Sequence, residues 1–524
     1  MSAASGEVEK PSRSGRQAAS SASPRRQVAV DATTPLLHRS GPTPTSLPHT
    51  RRSSFLCRLL LAILVLGVIL SIANSFLPLT PHRSPDDDAT SLLPNATLTN
   101  GTHTFRRTVI LISLDGAKPS YLTPSLTPHL SALGASTARS RLTRLQPIFP
   151  TLTFPNHWTL LTGLYASSHG IVANDFHDVR SGEQFYYTRP DRSWDGKWWR
   201  GEPVWATVQR AGVRSAVLMW PGPPVTANGD RPRWFQKYES GPQWDLTGRL
   251  RQVMTWLDVE EVNERPGLIC AYVPDIDQAA HRFGPESKEA LQAVSRVDDF
   301  IGDLEKQLEK RSLGEVVDVV VVSDHGMTTT SNERLIYLDE LLGSELHGKL
   351  EHRDGWPSAG LRFKGSEAEQ QRLVEQAYKR LSSLKSRQKR GWRIYTREDL
   401  PERYHLAAAQ VQDRLAPLWL IPDLGWSITT HAEMATFADG VYAPRGNHGY
   451  DNEEEDMHAI FVASGPSFAP RSQRKAGSGK QNMDAFANVE VHNLISRILG
   501  VPQSKRAPTN GTWTFWDRHL RAGL

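Results

Sequence analysis

Seven side chains in this sequence have types and spacings that could do chemistry together. Asp115, Asp277, His281, Asp324, His325 and His448 are oxygen and imidazole donors, and Thr153 offers a hydroxyl. Carboxylate and imidazole together suit zinc. Asp277-Gln-Ala-Ala-His281 has i, i+4 spacing, which sets two donors on one side of a helical turn. Asp324 and His325 are adjacent, and His448 lies in the turn-like Gly446-Asn-His-Gly-Tyr-Asp451. Thr153 opens Thr153-Phe-Pro-Asn-His157. A threonine with proline two residues on reads as the start of a helix, with Thr153 expected at the N-cap. A hydroxyl there faces the positive end of the helix, where phosphate binds and an alkoxide is stabilised. Any one of these pieces is also an ordinary cap, turn or surface pair; their joint occurrence makes them a candidate site.

The elements that must hold these groups follow from the apolar runs. Thr108–Leu114 ends at Asp115-Gly116, Leu268–Tyr272 leads to Asp275 and Asp277, and Val316–Val322 leads to Asp324-His325. Apolar runs of this length read as buried strands of a parallel sheet, and ligands of open α/β sheets gather at strand carboxyl ends. Between the last two runs, Leu291, Val294, Val297, Phe300, Ile301, Leu304 and Leu308 recur at helical spacing. Strand, helix, strand in this order predicts an α/β fold, a mostly parallel sheet flanked by helices. A small inserted α/β subdomain is expected at about 350–425. It includes the charged helix from Glu367 to Lys389, whose charges face solvent, and the strand-like Trp392–Tyr395.

The chain has 524 residues, 39% of them apolar and 22% charged, enough for a large core. Residues 1–58 hold nine Lys/Arg and three Asp/Glu, a net of +6, against +5 for the whole chain. The basic balance therefore belongs to this Ser/Pro-rich tail, which is expected to be disordered. The remainder is near neutral, so no specific nucleic-acid binding is expected. Residues 59–79 are uncharged and long enough to span a bilayer. Arg51, Arg52 and Arg58 precede them and Asp86, Asp87 and Asp88 follow, which predicts a type II signal-anchor with the N-terminus in the cytosol. Asn95, Asn100 and Asn510 head N-x-Thr sequons beyond that anchor, consistent with a glycoprotein whose catalytic domain is extracytoplasmic, at the cell surface or in the Golgi or vacuole lumen. Residues 80–105 read as a linker, 106–515 as the catalytic domain and 516–524 as a C-terminal tail. The two cysteines, Cys57 and Cys270, fall on opposite sides of the anchor and cannot pair within a chain.

Taken with Thr162-Gly-Leu-Tyr165, His169-Gly-Ile-Val-Ala-Asn174, Trp220-Pro-Gly222, Gly284-Pro285, Ser323–Met327 and Gly446–Asn452, these residues resemble the ectonucleotide pyrophosphatase/phosphodiesterase family of the alkaline phosphatase superfamily, in a short membrane-anchored form. The resemblance runs in order through about residues 107–515. It implies two Zn²⁺ per chain, one on Asp277, His281 and His448, the other on Asp115, Asp324, His325 and the Thr153 hydroxyl. It further implies Thr153 as nucleophile, Asn174 as a ligand of a phosphate oxygen, and Phe154 and Tyr238 as the faces that hold a nucleotide base. Nucleotides and nucleotide-derived small molecules are the implied substrates, and no obligate protein partner is evident. Ala280 stands where the family has glycine, and Ala117 where an aromatic often follows Asp-Gly. A sulfatase reading fails for want of a modifiable Cys or Ser, and a catalytically silent receptor is disfavoured by the complete ligand set.

Overall fold

The computed structural model describes residues 97–135, 137–385, 390–406, 409–437, 440–470 and 483–524. The basic tail, the expected anchor, Cys57 and Asn95 lie outside the described residues. Among the described residues no helix is long and apolar enough to cross a membrane.

The core is an eight-stranded sheet. Its strands are β1 (Thr108–Leu114), β2 (Arg141–Gln146), β3 (Ser215–Leu218), β4 (Trp234–Gln236), β5 (Leu268–Val273), β6 (Val317–Val322), β7 (Ala459–Ser464) and β8 (Phe486–Ala487). They lie in the order β8-β2-β7-β6-β1-β5-β3-β4. The sheet is mixed: β7 is antiparallel to both its neighbours, β6 and β2, while every other pairing is parallel. The three apolar runs become β1, β5 and β6, adjacent at the centre, and every residue in them is buried. Helices cover both faces, which is why these strands are apolar on both sides rather than alternating. Leu142 and Ile460, for instance, pack with one helical layer, while Leu145 and Phe461 pack with the other.

Three helices matter for the site: α1 (Thr153–Thr162), α2 (Asp275–Phe283) and α3 (Lys288–Lys310). Helix α3 is capped by the Ser287 side chain, which accepts from the Ala290 N–H, and it buries Val294, Val297, Phe300, Ile301 and Leu304 against the sheet. A second, four-stranded antiparallel sheet joins Leu350–Asp354, Ala359–Phe363, Leu418–Pro422 and Trp392–Thr396. The helix Glu367–Ser383 packs on it through Leu373, Ala377 and Leu381.

Two stretches expected to be linker and tail contribute structure. Thr97–Thr99 and Thr104–Arg106 form a hairpin whose Leu98 and Phe105 are buried. At the other end Trp516 is fully buried, and Leu520 bridges to Phe468. Asn510 is exposed, whereas Asn100 is half-buried and donates from Nδ2 to the Arg311 carbonyl at 2.8 Å.

Candidate metal and phosphodiester site

Because β6, β1 and β5 are parallel neighbours, their carboxyl ends open on the same edge of the sheet. Asp115 follows β1 directly, and Asp324 and His325 follow β6. After β5 the chain turns through Pro274 into α2, whose first and second turns carry Asp277 and His281. His448 arrives from 123 residues beyond His325 by a short antiparallel pairing, Thr328–Thr329 with Gly446–Asn447. Gly449, the next residue, has φ +102°, and a Cβ there would come within 2.5 Å of Pro357 and 2.7 Å of Leu152. Only glycine permits both the turn and the close approach.

The three histidines share one arrangement. His281 Nδ1 lies 2.8 Å from the Gly446 carbonyl, His325 Nδ1 2.9 Å from the Gly326 carbonyl, and His448 Nδ1 2.9 Å from the Thr151 carbonyl. A carbonyl only accepts, so Nδ1 carries the proton in each ring and Nε2 is left with its lone pair. Those three Nε2 atoms point at carboxylates. His325 Nε2 is 3.4 Å from Asp115 Oδ1 and 3.0 Å from Asp324 Oδ2; His281 and His448 Nε2 are 3.3 and 3.5 Å from Asp277 Oδ1. The two nitrogens of His281 and His448 are themselves 3.1 Å apart. Asp115 Oδ1, Asp277 Oδ1 and Asp324 Oδ2 are buried and make no hydrogen bond. Three imidazole lone pairs and three unsatisfied carboxylate oxygens converging in one place fit divalent cations, which supply the charge that buried carboxylates otherwise lack.

Two donor groups emerge. Asp277, His281 and His448 form one, with ligand atoms within 4.8 Å of one another. Asp115, Asp324 and His325 form the other, and Asp277 Oδ1 lies close enough to Asp115 and His325 to adjoin both. The electrostatics follow from this crowding. Burial together with Asp324 and Asp277 pushes the Asp115 carboxyl well up. Burial opposes ionisation of Asp324 too, yet His325 and His157 hold it well below the usual carboxylate range. Burial and the neighbouring His325 and His281 push His448 down, which favours its neutral, ligating form.

Thr153 is the first residue of α1 and not its cap. Leu152 occupies the N-cap position, and no side chain of α1 caps its own first turn. The capping acceptor comes from elsewhere: Asn174 Oδ1 accepts the Phe154 N–H at 3.0 Å. This leaves the Thr153 hydroxyl free of capping duty, 3.2 Å from His325 Nε2. It also leaves the Asn174 amide nitrogen as the donor facing the cavity that both residues line. That cavity, of about 920 Å³, is also lined by Phe154, Tyr187, Trp194, Trp220, Tyr238 and Trp356. Phe154 packs against Tyr187 with ring centroids 5.1 Å apart. Tyr238 stands at the mouth, 44% exposed, its hydroxyl accepting from Gln278 Nε2 at 3.2 Å. Phe154 and Tyr238 thus line one cavity. Lys118, the cation closest in sequence to Asp115, is buried, with its ammonium 2.6 Å from Glu286 and 3.5 Å from Asp456. Ala117 and Ala280 are both buried, Ala280 against Ala290 and Met327.

Three residues at the site are given no role by the sequence. Tyr272 donates its hydroxyl to Asp115 Oδ2. His157 and Ser113 hydrogen-bond each other beneath α1. A tyrosine or serine in an apolar strand reads as core, and a histidine one turn into a helix reads as packing.

Residues 109–451 match the type I phosphodiesterase / nucleotide pyrophosphatase family. An uncharacterized pyrophosphatase/phosphodiesterase of Schizosaccharomyces pombe is 40% identical over 419 residues, covering 79% of this chain and 80% of its own. Human ectonucleotide pyrophosphatase/phosphodiesterase family member 1 is 31% identical over 405 residues, 77% of this chain but 40% of that protein, so this chain spans less than half of that relative's length. Among solved structures, an inactive variant of murine ectonucleotide pyrophosphatase/phosphodiesterase 5 in complex with AMP superposes with a TM-score of 0.66 at 29% identity, covering 79% of this chain and 100% of that one. With the sheet order, the converging donors and the helix-borne threonine, these matches lead to one assignment: the chain belongs to the type I phosphodiesterase / nucleotide pyrophosphatase family, hydrolases of phosphodiester and pyrophosphate bonds.

Proposed function

We propose that this protein is a zinc-dependent hydrolase that cleaves nucleotide phosphodiester and pyrophosphate bonds through a phosphothreonine intermediate and releases nucleoside 5′-monophosphates. The observation that carries the reading is the Thr153 hydroxyl, uncapped at the first residue of α1 and 3.2 Å from His325 Nε2 in the donor cluster. Two zinc ions, held by Asp277, His281 and His448 and by Asp115, Asp324, His325 and Thr153, would supply Lewis acidity and neutralise charge on the reacting phosphoryl group. Thr153 Oγ attacks phosphorus in line, the bond to the alcohol or phosphate leaving group breaks, and water later cleaves the Thr153–phosphate ester. Asn174 donates to a non-bridging oxygen. The α1 N-terminus adds its partial positive charge to the same place. The AMP complex of the murine relative is consistent with a nucleoside monophosphate product.

Diesters suit this site better than monoesters. A monoester dianion calls for an extra positive group; Lys118, close to Asp115 in sequence, is bound to Glu286 and Asp456, and the lysine lining the cavity, Lys237, pairs with Glu239 at 3.4 Å. Phe154 and Tyr238 offer flat apolar faces for a base. A matched pair of nitrophenyl substrates, diester and monoester, assayed with and without chelator, tests both parts. We expect at least tenfold higher kcat/KM for the diester, about 1.4 kcal/mol in transition-state binding, and loss of turnover on chelation. A monoester preference of that size overturns the assignment. The membrane topology belongs to the same proposal: a type II anchor at residues 59–79 with Asn95, Asn100 and Asn510 glycosylated and the catalytic domain extracytoplasmic. A mobility shift on glycosidase treatment supports it; protease protection of the catalytic domain with an exposed tail in intact cells reverses it.

A further inference from the structure

His157 lies within the motif that opens α1, one helical turn beyond Thr153, behind residues that line the cavity. Its ring is fully buried. Nδ1 is 2.9 Å from the carbonyl oxygen of Thr153 and 3.2 Å from Asp324 Oδ2, and Nε2 is 2.8 Å from Ser113 Oγ. Both neighbours of Nδ1 are acceptors, so Nδ1 carries the proton; Nε2 is then an acceptor, and the Ser113 hydroxyl donates to it. The N–H is directed at the Thr153 carbonyl and passes 3.2 Å from Asp324 Oδ2. Trp220 and Tyr272 hold the ring edge-on, at centroid distances of 5.2 and 5.1 Å.

His157, Asp115 and Asp324 bring ligand atoms within 4.8 Å of one another, which raises the question of a third metal position. The hydrogen bonds exclude it. With one nitrogen protonated toward Thr153 and the other accepting from Ser113, the ring has no lone pair to give a metal.

From this geometry we infer that His157 is a positioning residue for the Thr153 nucleophile, tying the first turn of α1 to the Asp324 side of the cluster and to strand β1. The inference rests on the proposed role of Thr153. Ser113 precedes Asp115 by two residues on β1, so one ring connects the nucleophile's own peptide, one donor carboxylate and the strand that delivers another. The helix has no side-chain cap of its own to set the height and rotation of its first residue. His157 performs that task from below, while Asn174 performs it at the Phe154 N–H. A hydroxyl that must sit between phosphorus and the donor cluster tolerates little displacement, since errors of about 1 Å can cost on the order of 10²-fold in rate.

The test separates positioning from packing by splitting the ring's two links. Asparagine places an amide N–H where Nδ1 stands and keeps the bond to Thr153. Glutamine places its terminus where Nε2 stands and keeps the link to Ser113. We expect His157→Ala and His157→Gln to lower kcat on the order of 10- to 100-fold, with KM within about threefold and zinc content and chelator resistance near wild type. His157→Asn should recover most of kcat, and Ser113→Ala should lose a few-fold. The rate at which phosphate becomes bound to the protein in a single turnover should follow kcat across the series. If His157→Asn is no better than His157→Gln, or if kcat follows thermal stability alone, the ring is packing and the inference fails. Should His157→Ala not fold, the Asn and Gln pair decides. Thr153→Ala run alongside distinguishes the two levels: an active Thr153→Ala sinks the proposed function and this inference with it. An inactive Thr153→Ala beside an undiminished His157→Gln sinks the inference alone.

Discussion

Strand β6 is flanked by two buried aspartates that differ in almost every respect that matters. Asp318 stands at its amino end and Asp324 just beyond its carboxyl end, and both are 0% exposed. Asp318 is fully satisfied: Oδ1 accepts the Ser467 N–H at 2.9 Å and Oδ2 accepts the Ser467 hydroxyl at 2.6 Å. Asp324 accepts one bond, from the Gly116 N–H at 3.2 Å, and leaves Oδ2 without one, facing His325. Burying an unsatisfied carboxylate is costly unless something compensates. The first aspartate locks a loop to the sheet; the second belongs to a cluster of donors that could hold a cation. Burial alone does not distinguish structural from functional carboxylates, but the account of each oxygen does.

The comparison is broken most severely by removing the proposed nucleophile at the functional end. Thr153→Ala should lower kcat by on the order of 10⁴-fold or more, as loss of a covalent nucleophile does. Zinc content and fold should persist, because the six carboxylate and imidazole donors are untouched. Thr153→Ser should retain part of the activity, since the hydroxyl remains. Inactive Thr151→Ala beside active Thr153→Ala would move the nucleophile two residues. Thr151 Oγ is already committed to the Tyr450 carbonyl and the Gly449 N–H, which argues against that outcome.

Next in size is Asp324→Asn. The amide keeps the shape and can still accept from Gly116, but it loses the charge that faces His325. We expect metal analysis to find at most about one zinc per chain and kcat/KM to fall on the order of 10²-fold. Full activity in a protein stripped of metal would end the cation reading for this end of the strand.

Much of this contrast was open to the sequence, for a physical reason. Parallel core strands must be apolar on both faces, so β1, β5 and β6 stand out as runs, and the first polar residues after each run mark the site edge. The i, i+4 pair on α2 is legible because helical spacing fixes it. What escapes is whatever depends on contacts between distant segments. Strand β2, Arg141-Leu-Thr-Arg-Leu-Gln146, carries charge within a strand and gives no continuous run, while the apolar β7, Ala459–Ser464, takes its antiparallel direction from pairing with β6 and β2. Thr153 looks like a cap because Ser, Thr, Asp and Asn before a helix usually are; the true acceptor, Asn174, is twenty residues beyond Phe154, whose N–H it accepts. The same holds at the structural end, where Asp318 reads as a stray charge in Val316-Val-Asp-Val-Val-Val-Val322 until Ser467 arrives from 149 residues downstream.

The smallest effect sharpens the comparison from that structural side. Burial pushes the Asp318 carboxyl up from the usual 3.8 to about 6, against the stabilising pull of the Ser467 bonds, Arg107 and Arg139. A raised folded-state value means the group favours folding while it is protonated. That contribution is fully present below the unfolded value and is lost as pH rises through about 6. Asp318→Asn removes the titration and keeps an acceptor for the Ser467 N–H. Every other titrating group is shared with the parent protein, so the difference in unfolding free energy between the two isolates this residue. That difference should move in the variant's favour by about 2–3 kcal/mol between pH 4 and pH 7, read as a shift of a few degrees in the difference of Tm. Since Asp318 lies six residues from Asp324 along an extended strand, roughly 20 Å away at about 3.3 Å per residue, kcat/KM should stay within twofold. A pH-independent difference would mean that Asp318 stays ionised throughout, held by Arg107 and Ser467. A large loss of activity would mean that the two ends of β6 are not separable.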